Sequence, residues 1–535
     1  MMSQNYLSQT PPTPASLATR TENLFLRVRD RPAVYLILGG LTLMGLILRV
    51  LEINKSIAYD EAYTFIHFAS RDLKYMLADY SAPNNHIFHT ILMGIAYRLL
   101  GGEAWVIRLP AFAAGTLMVP AMFLTARRFF SAPQALAAAG IIAVLPVFIN
   151  YSVNGRGYTL LILFALLLAN FAGALVAPLS PITSRETNRG HRQAETYSKP
   201  ALAAFAITSV LGFYTIPIFV YPWTGVALWV IATYLFADED RQTKSQRLMR
   251  FLGTCLLAGL GTFVLYSPVI FFGSGLSSLV RNEIVQPLDW QTFLANLDPR
   301  LVKAWNKWMI GISPRTENLF LAGFMISLFL YRRVSNQQLP MQVFLVLAVL
   351  ILLLLQRVTP LPRIWLYLEA FYLMFAAAGL VWLGEILLAG VLGTPLTVRV
   401  LSFAVLLIFA GLFIAVLLER RSNPVLLDRD RLPEDYAAQY LAEHIGPEDT
   451  LVATGPVDIQ TAYYLSLYDI PFERFYRRDH PVDIEHALVL VRKNARHKTP
   501  ESVVDFFELQ QQLDLSTAEL MFEYANVQVY SVQAR

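Results

Sequence analysis

Long apolar runs alternate with short polar turns along the chain, in the rhythm of a protein that crosses a membrane many times. A hydrocarbon core about 30 Å thick needs a helix of roughly 17–25 apolar residues, and about eleven windows meet that requirement. They lie near 33–51, 105–129, 133–151, 159–178, two short runs within 200–236 hinged near Tyr214–Pro217, 251–272, 317–331, 341–356, 364–388 and 398–418. One stretch breaks the rhythm. Ser56–Pro110 carries the adjacent acids Asp60 and Glu61, the histidines His67, His86 and His89, the twin Asn84-Asn85 and Arg108. Its segment His86–Leu100 is apolar enough for a span but short, and polar groups recur at His86, Thr90, Gly94 and Tyr97, the spacing of an amphipathic helix lying in the interface. Tyr59–Ser70 behaves likewise, because Asp60, Thr64, His67 and Arg71 share one helical face.

Charge gives the expected orientation. Arg27, Arg29 and Arg31 precede the first run, which places the N-terminus in the cytoplasm. With 86–100 left out of the crossing count, every later basic cluster falls on that same side: Arg127-Arg128; Arg185, Arg189, Arg192 and Lys199; Arg241, Lys244, Arg247 and Arg250; Arg332-Arg333. Counting it as a span would invert everything downstream and put these basic loops outside. Residues 1–32, rich in Ser, Thr, Pro and Gln, read as a disordered cytoplasmic tail without signal-peptide features. Residues 33–420 form the membrane domain, with a first outer loop at 52–104 and a long second one at 273–316 whose Trp, Leu and Lys predict interfacial helices. From 424 to 535 the pattern is that of a small soluble α/β domain on the outer face. Helices are expected at 433–445, 459–468 and 500–511, and strands at Thr450–Ala453, Ala487–Arg492, Glu519–Tyr524 and Val527–Val532. The expected fold class is an all-α polytopic membrane domain with interfacial helices and a C-terminal α/β domain, sited in the inner or plasma membrane.

Composition agrees with the pattern. Of 535 residues, 55% are hydrophobic and 15% charged, and the mean hydropathy is +0.46, outside the soluble range. A net charge of +4 argues against nucleic acid as a partner. The lone Cys255 rules out an intrachain disulfide and a multi-cysteine metal site.

The candidate chemistry lies on the outer face. Asp60 and Glu61 admit two readings: a helix N-terminus, with Asp60 as cap and Glu61 favoured by the dipole, or a general base that takes a hydroxyl proton during group transfer. The same pair, with His86 or His89, also suits a divalent cation. His86 and His89 lie on one side of a helix, as substrate contacts or as side chains reaching the headgroups. Arg156 and Arg363 open spans at the same depth, where arginine needs an anion, either a phosphate held bidentately or lipid headgroups. Arg108 is a substrate contact or a headgroup anchor.

In their order these residues are familiar. The acidic pair after the first span, the Asn/His-rich step into an interfacial helix, GGEAWVIRLP (Gly101–Pro110), Arg156-Gly157-Tyr158 and Arg363 opening a late span together resemble the C-type (GT-C) glycosyltransferases. Within that superfamily the similarity is to the protein O-mannosyltransferases and the lipid A aminoarabinose transferase, over residues 30–390. The resemblance implies a sugar donor on a polyprenyl phosphate, an acceptor lipid, glycan or protein, and transfer with inversion. It makes Asp60 the base, Glu61 its neighbour or a metal ligand, and Arg156 and Arg363 the donor phosphate site; His86, His89, Asn85, Tyr158 and Arg108 are, by their placement, candidate substrate contacts. A divalent metal on Asp60, Glu61 and His86 is an option it leaves open. Relatives often have His-Pro-Pro where this chain has His86-Ile87-Phe88.

Two rivals use the same residues. A transporter or flippase of lipid-linked sugars would bind without reacting and would place charges near mid-membrane in broken helices. A scaffold whose outer domain is the functional part would leave Asp60 without a task.

Overall fold

The computed structural model describes residues 30–177, 190–280, 286–358, 361–392, 397–422, 431–478 and 480–535. The expected tail and the loop holding Arg185 and Arg189 lie outside the described residues.

The first crossing is α1 (Pro32–Val50). A platform follows: α2 (Tyr59–Thr64), continued as a π-helical turn over Phe65–Ala69, then α3 (Leu73–Ala78) and α4 (Ile87–Leu100). The bundle continues as α5 (Ala104–Phe129), α6 (Ala132–Val144), α7 (Pro146–Ser152), α8 (Tyr158–Val176), α9 (Gly190–Thr215), α10 (Val220–Leu235) and α11 (Arg241–Phe272). Next come α12 (Gly275–Val280), α13 (Trp290–Trp308), α14 (Pro314–Phe329), α15 (Tyr331–Val334), α16 (Met341–Gln356), α17 (Leu366–Leu392) and α18 (Val398–Ser422). All eleven expected windows are helical. Among the described residues seven helices are long and apolar enough to cross a membrane, or eight if the bent pair α6–α7 is one span, and α16 is apolar but short. This is a multi-pass membrane protein.

Helix α4 is apolar but shorter than the helices counted as crossings. At 14 residues it spans about 21 Å, short of a 30 Å core. At its start His86 accepts from Gly157 N–H, and just past its end the Gly102 carbonyl accepts from Tyr463 of the C-terminal domain, so both ends belong to the platform side.

The hub of the bundle is α6, which packs on α1, α5, α17 and α18 and is buried from Ala132 to Ala143. Its small residues let neighbours approach closely. The chain turns by 59° between α6 and α7, where Pro146 ends the hydrogen-bond ladder. Arg49, fully buried on α1, repairs that break: its guanidinium donates to the carbonyls of Ile142 (3.2 Å) and Ala143 (3.1 Å) and to Ser152 Oγ (2.9 Å). The repaired kink carries Tyr151 and leads into the Asn154–Tyr158 turn. By contrast α11 and α18 leave rows of leucine, valine and phenylalanine uncovered, the surface a lipid bilayer would cover.

The C-terminal domain contains α19 (Pro433–His444), β1 (Asp449–Ala453), α20 (Val457–Ser466), β2 (His486–Arg492), α21 (Pro500–Phe507), β3 (Leu513–Tyr524) and β4 (Val527–Ala534). Its sheet has the order β1-β2-β4-β3, with β1 and β2 parallel and the other pairs antiparallel. The domain shares a core with the platform, because Ile57, Phe65 and Ile107 bury together with Leu451, Tyr463 and Leu490.

Candidate active site

Helix α2 turns the two acids to different environments. Glu61 is fully buried, and each of its oxygens is engaged. Arg108 clamps it through Nε (3.0 Å) and Nη2 (2.5 Å), Ala58 N–H donates to Oε1 (2.7 Å) and Gly155 N–H to Oε2 (2.6 Å). The capping contact at the start of α2 is therefore made by Glu61, not by Asp60. Arg108 also gathers the carbonyls of Ile53, Lys55 and Ser56. With no exposed surface on either side chain, the pair ties the loop before α2 to the turn that carries Arg156. Gly155 is needed there, since a Cβ at that position would sit 3.2 Å from Glu61 Oε2.

Asp60 faces the other way, with its side chain 33% exposed. Arg363 Nη1 reaches its Oδ2 at 2.5 Å, and Arg156 Nη1 lies 3.6 Å from the same oxygen while donating to the Asp60 carbonyl at 3.1 Å. Residues 60, 156 and 363, far apart in sequence, thus form one acid–arginine cluster at the mouth of the bundle.

Behind Arg156 lies a buried polar layer. Gly157 N–H donates to His86 Nδ1 at 2.9 Å, which leaves the proton of a neutral ring on Nε2, 3.2 Å from Arg156 Nη2. Two N–H donors converge there, an arrangement receptive to an anion oxygen. Burial and then Arg156 hold His86 well below the usual histidine range and push His89 down to about 3, so both rings stay neutral. Among the described residues His89, with no exposed surface, has no hydrogen-bond partner at either ring nitrogen. Asn85 donates to the Met76 and Asp79 carbonyls, and its Oδ1 has no partner among the described residues. Tyr158 packs edge-on to His86 and Tyr151 and lies under the Arg156 guanidinium.

The metal option does not fit these residues. Among the described residues no group of three or more His, Cys, Asp or Glu side chains could hold a metal ion. The three expected ligands diverge, Asp60 to the arginines, Glu61 to Arg108 and His86 to Gly157.

Glu369, three residues before Tyr372 on α17 and not singled out by the sequence, is fully buried, and neither carboxylate oxygen has a hydrogen-bond partner among the described residues. An acid within an apolar run was the available signal. Trp365, two residues on from Arg363, and Leu368 line an apolar cavity of about 390 Å³ together with Trp305 and Trp308 of α13 and Val349 of α16.

Comparison with known proteins extends this picture. Residues 84–176 match the family described as dolichyl-phosphate-mannose-protein mannosyltransferase. The crystal structure of ArnT from Cupriavidus metallidurans in the apo state superposes over 92% of this chain and 97% of its own, at 13% identity and a TM-score of 0.57. The same protein bound to undecaprenyl phosphate covers 93% and 97%, at 14% identity and 0.54. An archaeal oligosaccharyltransferase, AglB from Archaeoglobus fulgidus, in complex with an inhibitory peptide and a dolichol-phosphate, covers 92% and 74%, at 12% identity and 0.44. No curated protein matches the sequence.

Proposed function

We propose that this chain, which has the GT-C glycosyltransferase fold, moves a sugar from a polyprenyl-phosphate carrier to an acceptor hydroxyl on the extracytoplasmic face of the cell membrane, with inversion. The observation that carries the reading is the Asp60 carboxylate held between Arg363 and Arg156. A phosphate leaving group develops charge that two fixed guanidinium groups can neutralise. A carboxylate beside them can take the proton of the attacking hydroxyl. In the reaction the acceptor O–H gives its proton to Asp60 and its oxygen bonds to the anomeric carbon. The bond from that carbon to the phosphate oxygen breaks on the opposite side, and the phosphate leaves against the arginines.

Without donor, Asp60 is itself the counter-anion of Arg363. An incoming phosphate competes for that guanidinium and releases the carboxylate toward the acceptor, so donor binding prepares the base. The apolar cavity lined by Trp365, two residues on from Arg363, supports the same reading, because it offers an isoprenoid chain an apolar place on the segment that carries the phosphate-binding arginine. A donor borne by lipid also accounts for a site at the membrane surface. ArnT, similar in fold, is known bound to undecaprenyl phosphate, which supports a lipid-borne donor for this chain.

The test is transfer from polyprenyl-phosphate sugar in purified membranes. Asp60→Asn is expected to abolish transfer while leaving expression intact, and Arg363→Ala to raise the donor concentration for half-maximal rate by about 10–100-fold, the loss of a charge-assisted contact of roughly 1.5–3 kcal/mol. Full activity in Asp60→Asn would sink the base assignment, and unaltered donor dependence in Arg363→Ala the phosphate site.

A further inference from the structure

The side of Asp60 away from the arginines has a different chemistry. Tyr59 and Tyr63 on α2 and His67 on the turn after it recur every four residues and form a stripe of rings, with centroids 6.4 Å and 4.1 Å apart. All three are partly exposed. Helix α20 of the C-terminal domain lies across this segment. Gln460 Nε2 donates to the Ile57 carbonyl (2.8 Å), Ile57 N–H to the Tyr464 hydroxyl (3.3 Å), and the Tyr463 ring meets Phe65 edge-on at 5.6 Å. This seating brings Asp458, in the first turn of α20, up to Tyr59. A Cβ built on the exposed Gly455 would lie 3.6 Å from the Tyr59 hydroxyl and 3.9 Å from Asp458 Oδ1, so the two groups border one open space.

Burial first, and then nearby carboxylates, Asp458 and Asp60 for Tyr59 and Asp79 and Asp458 for Tyr63, hold both phenols above their ordinary range. Asp60 therefore stands at a boundary, with arginines on one side and tyrosines with acids on the other.

We infer that Asp458, carried in by the C-terminal domain, forms with Tyr59 and Tyr63 the acceptor subsite, and that this subsite receives a neutral sugar ring. The inference rests on the proposed transfer reaction and names its acceptor class. Tyrosine faces offer flat apolar surface to the C–H face of a pyranose, and carboxylates form the strongest hydrogen bonds with hydroxyl donors. A phosphorylated or acidic acceptor would meet three carboxylates and be repelled. The hydroxyl presented between Asp458 and Tyr59 would lie on the helix that carries the base.

The experiment uses the full-length protein with two titrated substrates. The donor is the lipid-phosphate sugar pool extracted from a strain deleted for the gene and grown on radiolabelled glucose; the acceptor is unlabelled membrane from the same strain. Asp458→Asn and Tyr63→Leu are expected to raise the acceptor concentration for half-maximal incorporation at least tenfold, with donor half-saturation within twofold. Asp458→Glu should recover part of the loss, and the labelled product should resist proteinase K. Unchanged acceptor dependence, a parallel weakening toward donor and acceptor, or label entering a protease-sensitive product each overturn the inference. Asp60→Asn separates the two ideas: loss there with normal acceptor dependence in Asp458→Asn leaves the base reading standing and removes only this subsite.

Discussion

Successive helix residues point about 100° apart, and at Asp60 and Glu61 that rotation separates a partly exposed carboxylate facing two arginines from one sealed against Arg108. The first can exchange partners, whereas the second would leave a buried charge unpaired if it moved. Asp458 is a third case. Burial raises its carboxyl from the ordinary 3.8 to about 6, against weaker stabilisation from backbone N–H groups. The folded protein thus holds this proton more tightly than the unfolded chain, and the associated stability is present below pH 3.8 and lost as pH rises through about 6. Asp458→Asn should therefore flatten the change of Tm between pH 4 and 6 and leave the purified protein more stable at pH 7. An unaltered Tm–pH profile would show that the carboxyl titrates normally.

At the scale of elements, the site depends on how a short loop is tied down. Arg108 opens α5 and binds three carbonyls of the loop at 53–56, while its partner Glu61 holds Gly155 at the start of the Arg156 turn. The latch joins α2, α5 and the α7–α8 turn, so Asp60 and Arg156 move as one unit. Removing one partner of a buried ion pair costs roughly 3–5 kcal/mol, and Arg108→Ala should show this as a lowered Tm and reduced recovery of monodisperse protein in detergent. A normal Tm would mean that the loop holds without the latch. Arg49 has the same kind of role at the α6–α7 kink. Only the broken helix beside it reveals the carbonyls it satisfies.

For the whole molecule the expected orientation places the platform, the α7–α8 turn, Arg363 and the C-terminal domain outside, and the basic loops inside. In a Cys255→Ser background, Ser81→Cys should react with an impermeant thiol reagent on intact cells, and Ser245→Cys only after permeabilisation; both positions are exposed. The opposite pattern would invert the orientation. Much of this architecture is legible without coordinates. Run length and period are local properties, and they gave the long helices of the bundle and the strands of the small domain, and with charge the expectation that 86–100 lies in the interface. Residue type located the polar groups as well, because charge in an apolar chain has few places to go. What the chain order could not decide is which of these groups meet. Asp60 finds Arg156 and Arg363 only once α2, α8 and α17 are packed, Glu61 is withdrawn from the site by an arginine 47 positions away, and Asp458 reaches Tyr59 only because the C-terminal domain buries its apolar face on the platform. These encounters are set by close packing between distant segments, a non-local property that neither periodicity nor composition encodes.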